Sequence, residues 1–104
     1  MNVRFSESEI RVRFNENDWK GILNSSELDL RFVLGGTGCF IFKVVIDKSG
    51  SICLEHVDDA YQLTINQAVI DTLTSAENQK QGFRCSLGAI SEQSTQLVIQ
   101  RDLF

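Results

Sequence analysis

The sequence predicts an α+β domain built as two pseudo-repeated ββαββ halves, residues 3–46 and 52–104. These would form one antiparallel, curled or barrel-like sheet carrying two short helices. Three observations predict it. Apolar and polar residues alternate at the strand period over most of the chain, as in Ile10-Arg11-Val12-Arg13-Phe14. Only two stretches carry helical spacing, and each follows an asparagine, Asn15 or Asn66. A gap-free shift of 51 positions lays Ile10 on Tyr61, Phe14 on Ile65, Asn15 on Asn66, Trp19 on Ile70 and Phe32 on Phe83.

The elements follow in order. Val3–Phe5 and Ile10–Phe14 flank the polar turn Ser6-Glu7-Ser8-Glu9 and read as a hairpin. Asn15 is placed to cap a helix, with Glu16 and Asp18 at the positive end of its dipole. Trp19, Ile22 and Leu23 supply its apolar stripe as far as Asn24. Leu28, Leu30, Phe32 and Leu34 then alternate as a strand, and Phe40–Ile46 forms the next. After the turn Asp47-Lys48-Ser49-Gly50 the order recurs. Ile52–Val57 and Tyr61–Ile65 flank Asp58-Asp59, Asn66 caps a helix with Val69, Ile70 and Leu73 inward, and Phe83–Leu87 and Leu97–Arg101 finish as strands.

The glycines of "RFVLGGTGCFIF" invite a phosphate-loop reading. Such a loop runs from strand to helix and needs a Gly-Lys-Ser/Thr, so that a helix N-terminus and a lysine meet the anion. Here Gly38 leads into the β-branched and aromatic run Cys39–Ile46, which has low helix preference. Glycines between two strands supply the positive φ of a hairpin turn. The hairpin reading holds.

Composition excludes several classes. The 104 residues make one domain, and 42% hydrophobic with 23% charged residues is ordinary for a soluble globular chain. No apolar run approaches the ~20 residues that span a bilayer, and the opening residues lack a signal-peptide stretch, so a cytoplasmic location is expected. A net charge of −4 argues against a generally nucleic-acid-binding surface. Cys39, Cys53 and Cys85 each lie in an apolar run and are expected as buried, reduced thiols. Cys53 and His56 lie three apart on a strand, hence on opposite faces, and form no dyad. His56 falls on Phe5 in the repeat and is expected as a half-buried structural histidine. Asp58-Asp59 reads as a turn, and neither a metal, a cofactor nor a catalytic group is expected.

Two sets of residues point toward binding. Arg4, Arg11, Arg13 and Arg31 are confined to the first half and project outward, as an anion-binding face would. The strand Phe40–Ile46 is apolar on both faces, so Cys39, Ile41 and Val45 are candidates for an interface, in a homodimer or with another protein. The terminal Leu103-Phe104 should also be covered.

The segments "VRFSESEIRVRF", "NENDWKGIL" and "LVIQRDLF" together resemble a family of small bacterial proteins classed as a domain of unknown function. That resemblance implies no activity and no site residues. The stretch "LTINQAVIDTLTSAENQKQGFRCSL" is similar to the strand–helix–strand unit of AbrB-type swapped-hairpin transcription factors. It implies local topology, while Lys80 and Arg84 are its only basic side chains. The expected function is therefore a non-enzymatic, self-associating binding or assembly module. Small-anion binding by the arginine face is the alternative, and AbrB-like nucleic-acid binding the third reading.

The repeat puts Trp19 in the core and Arg13 outside it. Trp19→Ala should cost about 3–5 kcal/mol, as large core aromatics do. Arg13→Ala should cost within about 0.5 kcal/mol. Paired denaturant melts measure both, and equal small losses would place Trp19 at the surface.

Overall fold

The computed structural model describes residues 1–33, 35–75, 82–90 and 93–102. Eight strands and two helices occur among them. They are β1 (Asn2–Phe5), β2 (Glu9–Phe14), α1 (Glu16–Ser25), β3 (Glu27–Val33), β4 (Cys39–Ile46), β5 (Cys53–Val57), β6 (Ala60–Ile65), α2 (Gln67–Thr74), β7 (Phe83–Ile90) and β8 (Gln93–Arg101).

Both helices start where the asparagines dictate. The Asp18 amide donates to Asn15 Oδ1 at 2.8 Å, and the Asn15 amide donates to Asp18 Oδ2 at 3.1 Å, a reciprocal capping box. The Val69 amide donates to Asn66 Oδ1 in the same way at 3.4 Å. Ser26, at φ 65°, stops α1 in the left-handed region and turns the chain straight into β3. β3 and β4 form the expected hairpin. Between them Gly35–Thr37 make a 3-10 turn, with Gly35 and Gly38 at positive φ.

The strands make two four-stranded sheets, ordered β1-β2-β8-β7 and β3-β4-β6-β5. Each sheet joins two antiparallel hairpins through a parallel central pair, β2 with β8 and β4 with β6. This corrects the expectation of one antiparallel, barrel-like sheet: there are two mixed sheets, and neither closes into a barrel. The physical reason is that alternation records which side chains face the core, not which strand edges meet. Each helix carries the chain from one sheet to the other, α1 from β2 to β3 and α2 from β6 to β7.

The inner faces of both sheets share one core. The first sheet gives Ile10, Val12, Phe14, Leu97 and Ile99, and the second gives Phe42, Val44, Leu63 and Ile65. Trp19 and Ile22 of α1 and Val69, Ile70 and Leu73 of α2 fill the space between. Trp19 is 2% exposed, as the helical spacing requires. The Arg101 guanidinium lies 5.4 Å from the Trp19 ring and donates to the Leu73 carbonyl at 3.4 Å, so one cation rests on α1 and satisfies an end carbonyl of α2. Leu23 departs from the expected stripe and is exposed, since Trp19 and Ile22 already span the buried side of this short helix.

The 51-residue shift does not carry past the helices. Ser26 alone separates α1 from β3, whereas residues 75–82 lie between α2 and β7. Phe83 therefore stands opposite Ile99 in the first sheet, while Phe32 stands opposite Phe40 in the second, and the two are not equivalent by register. Leu34 and the Leu103-Phe104 pair lie outside the described residues.

The β5–β6 hairpin turns on Asp58 (φ 49°) and Asp59 (φ 63°). A two-residue turn with both φ positive favours Asn-Gly, because an L side chain is strained there. Replacing Asp58-Asp59 by Asn-Gly should raise stability by about 0.5–1 kcal/mol, the relieved strain less the added freedom of glycine when unfolded. Denaturant titration reads the change, and a loss of stability would show that the two carboxylates hold the turn.

Candidate functional site

The arginines predicted as one face are divided by the fold. Arg4, Arg11 and Arg13 share the outer face of the first sheet, because Val3, Phe5, Ile10, Val12 and Phe14 take the inner one. Arg31 stands on β3, opposite Ile41, on the outer face of the second sheet and across the core from the others. The four do not form one site. Sheet register brings in Arg84 instead: Arg4, Arg11, Val98 and Arg84 make one row across β1, β2, β8 and β7. Only the parallel β2–β8 pairing creates that row. Arg11 is held by Glu9 at 3.3 Å and Arg13 by Asp102 at 2.7 Å. Among the described residues Arg4 and Arg84 enter no ion pair.

The interface candidates Cys39, Ile41 and Val45 lie along the outer face of β4, a central strand. Ile41 and Val45 are half-buried among their sheet neighbours. Cys39 is exposed, against the expectation of a buried thiol, because it begins the strand opposite the exposed Val33 at the sheet margin. Cys53 and Cys85 are half-buried, and all three thiols are free. The Cys53 thiol donates to Glu55 Oε1 at 3.2 Å, and this bond, with desolvation, raises its pKa. Burial raises that of Cys85. Both thiols are therefore held in the protonated form more strongly than a free cysteine.

Cys53 shares the outer face of β5 with Glu55, whereas His56 faces inward and stacks on Tyr61 with centroids 4.8 Å apart. His56 is exposed rather than half-buried. Tyr61, on which it stacks, lines an opening rather than packed core.

That opening is the feature sequence reasoning missed. At the end of the molecule bearing the β1–β2 and β5–β6 turns, the sheets leave an open cleft of about 350 Å3 lined by Phe5, Ile10, Phe40, Phe42, Leu54 and Tyr61. The Phe5 ring meets Phe40 and Phe42 edge-on from the other sheet, at 6.0 and 5.9 Å. Phe40 in turn lies 5.3 Å from Tyr61 and 5.7 Å from Phe32. Alternation puts each of these side chains on the correct, inward side. It carries no sign that the core ends beneath them, leaving Phe5 53% and Tyr61 41% exposed.

A smaller polar pocket of about 240 Å3 lies among Met1, Asn2, Arg13, Asn15, Asp18 and Asp102. Its charges satisfy one another, the Met1 amine with Asp18 and Arg13 with Asp102. Among the described residues no group of His, Cys, Asp and Glu is placed to hold a metal ion, and no helix is long and apolar enough to cross a membrane. The AbrB-like segment is a strand, a helix and a strand, β6, α2 and β7, whose strands lie in different sheets, with Lys80 outside the described residues. No family model matches this chain, and no curated protein or solved structure matches it either.

Proposed function

We propose that the protein is a non-enzymatic binding module whose aromatic cleft receives a group of a partner molecule. One observation carries the reading: four aromatic rings and two aliphatic side chains surround an open volume of about 350 Å3. Volumes of ~300–1,000 Å3 with mainly apolar walls are the usual dimensions of ligand sites. An exposed cluster of large rings costs free energy in water that the apolar surface of an incoming group recovers.

The pseudo-repeat belongs to this proposal, because the cleft lies where the first hairpins of the two halves meet. Phe5 and Ile10 come from one, Leu54 and Tyr61 from the other. Its support is that each sheet takes one hairpin from each half and joins them by a parallel pair. Matching the halves then needs a shift of 51 up to the second helix and 55 beyond it, where Leu28 opposite Val44 answers Phe83 opposite Ile99.

The test is fluorescence titration with the uncharged probe N-phenyl-1-naphthylamine. Wild type should bind it with enhanced emission, and Leu54→Trp, which fills the cleft, should weaken binding at least about fivefold with an unchanged melting curve. Equal binding by the two proteins would put the probe elsewhere and overturn the reading.

A second reading is small-anion binding on the outer face of the first sheet. Its support is the row Arg4, Arg11 and Arg84, in which Arg4 stands directly opposite Arg11. Like charges facing each other across a strand pair destabilise it, and a bound anion relieves the repulsion. Inorganic phosphate should therefore raise the melting temperature of wild type more than that of Arg4→Glu. Equal rises would remove this reading.

A further inference from the structure

We infer that the group received by the aromatic cleft is cationic, an arginine side chain presented by a partner protein; the inference rests on the cleft being a binding site. The turns that frame the mouth carry the argument. Phe5 and Ile10 are paired across the β1–β2 turn, which contains Glu7. Tyr61 and His56 are paired across the β5–β6 hairpin, which turns on Asp58 and Asp59. Ile41 stands opposite Ala60, the residue after Asp59, so the β5–β6 turn lies at the end of β4 that carries Phe40. Glu7, Asp58 and Asp59 are exposed, and among the described residues none enters an ion pair.

The basic side chains of the flanking strands face away. Arg4 and Arg11 take the outer face of the first sheet, and Arg31 and Lys43 the outer face of the second. Among the described residues of these strands, His56 is the basic group on the inner side, where it stacks on Tyr61. The entrance is thus acidic and the walls are π-faces, a combination that selects against anions and favours a cation.

Arginine fits this combination better than lysine. A guanidinium is planar, weakly hydrated, and stacks on an aromatic ring while its edge N–H groups stay free to donate to carboxylates. Its methylene stem suits the apolar floor of Ile10, Phe42 and Leu54. An ammonium group would keep its hydration shell and gain less from the rings.

The experiment is a 15N-NMR titration of the whole chain with two peptides, acetyl-Gly-Leu-Arg-Leu-Gly-amide and its citrulline counterpart, which keeps the shape and removes the charge. The arginine peptide should shift the amides of Phe5, Phe40 and Tyr61 and bind about tenfold more tightly than the citrulline peptide. In Asp58→Asn/Asp59→Asn the ratio should fall below about twofold, since asparagine accepts the left-handed backbone without the charge. N-phenyl-1-naphthylamine should bind that variant as it binds wild type. Equal affinity for the two peptides overturns the cationic occupant and leaves an apolar cleft. Binding of tetramethylammonium without binding of the arginine peptide overturns it in favour of a small onium ligand. Mouth shifts that grow with protein concentration alone overturn it in favour of a second copy of the chain. If neither peptide nor the uncharged probe binds, the cleft reading fails as well.

Discussion

Two parallel strand pairs, β2 with β8 and β4 with β6, are the constraint from which the architecture follows. A parallel pair cannot be closed by a tight turn, so its strands must come from separate parts of the chain. Here they come from opposite hairpins, and each half therefore contributes to both sheets. The helices become the links between sheets, and their apolar sides have nowhere to lie except between them. Core, helix placement and the row of arginines on the first sheet all derive from this pairing.

The same pairing accounts for the cleft. It brings the first hairpins of the two halves to one end of the molecule, where the described residues that line the gap all belong to strands. Trp19, Val69 and Leu73 occupy the corresponding space farther along. At the hairpin end Phe5, Phe40 and Tyr61 are left facing one another across an opening. Rings at van der Waals separation from one wall only forfeit part of their contact energy, so the arrangement is stable yet incomplete.

Much of the local structure was legible in the sequence. Asn15 and Asn66 start helices because a side-chain oxygen in the right place satisfies an orphan amide, a matter of two or three residues. Val12, Phe14 and Trp19 are buried because their spacing puts them on one side of a regular element. What spacing cannot express is partnership. Arg11 lies in one row with Arg84 only through β8, and Arg31, on a neighbouring element in sequence, lies on the other sheet. Phe5 and Phe14 are both read as inward, yet one borders an opening and the other is fully enclosed. Cys39 looks like its buried neighbours until the strand margin is placed. Candidate sites suffered more than elements did, because a site is a property of which surfaces meet.

The union of β2 with β8 also has a consequence for the order of events on the ribosome. Phe14 and Gln96, at the two ends of this parallel ladder, stand far apart in the chain. At translation rates of about 5–20 residues per second, β2 would wait roughly 4–16 s for its partner. During that interval the edge that β8 later occupies is an unpaired row of amides and carbonyls bordered by Ile10, Val12 and Phe14. Arg11 and Arg13, interleaved among those residues on the opposite side of the strand, keep the waiting edge charged and solvated. Charged side chains on an exposed strand edge disfavour its pairing with another chain, and Arg11 and Arg13 occupy that place in the nascent chain.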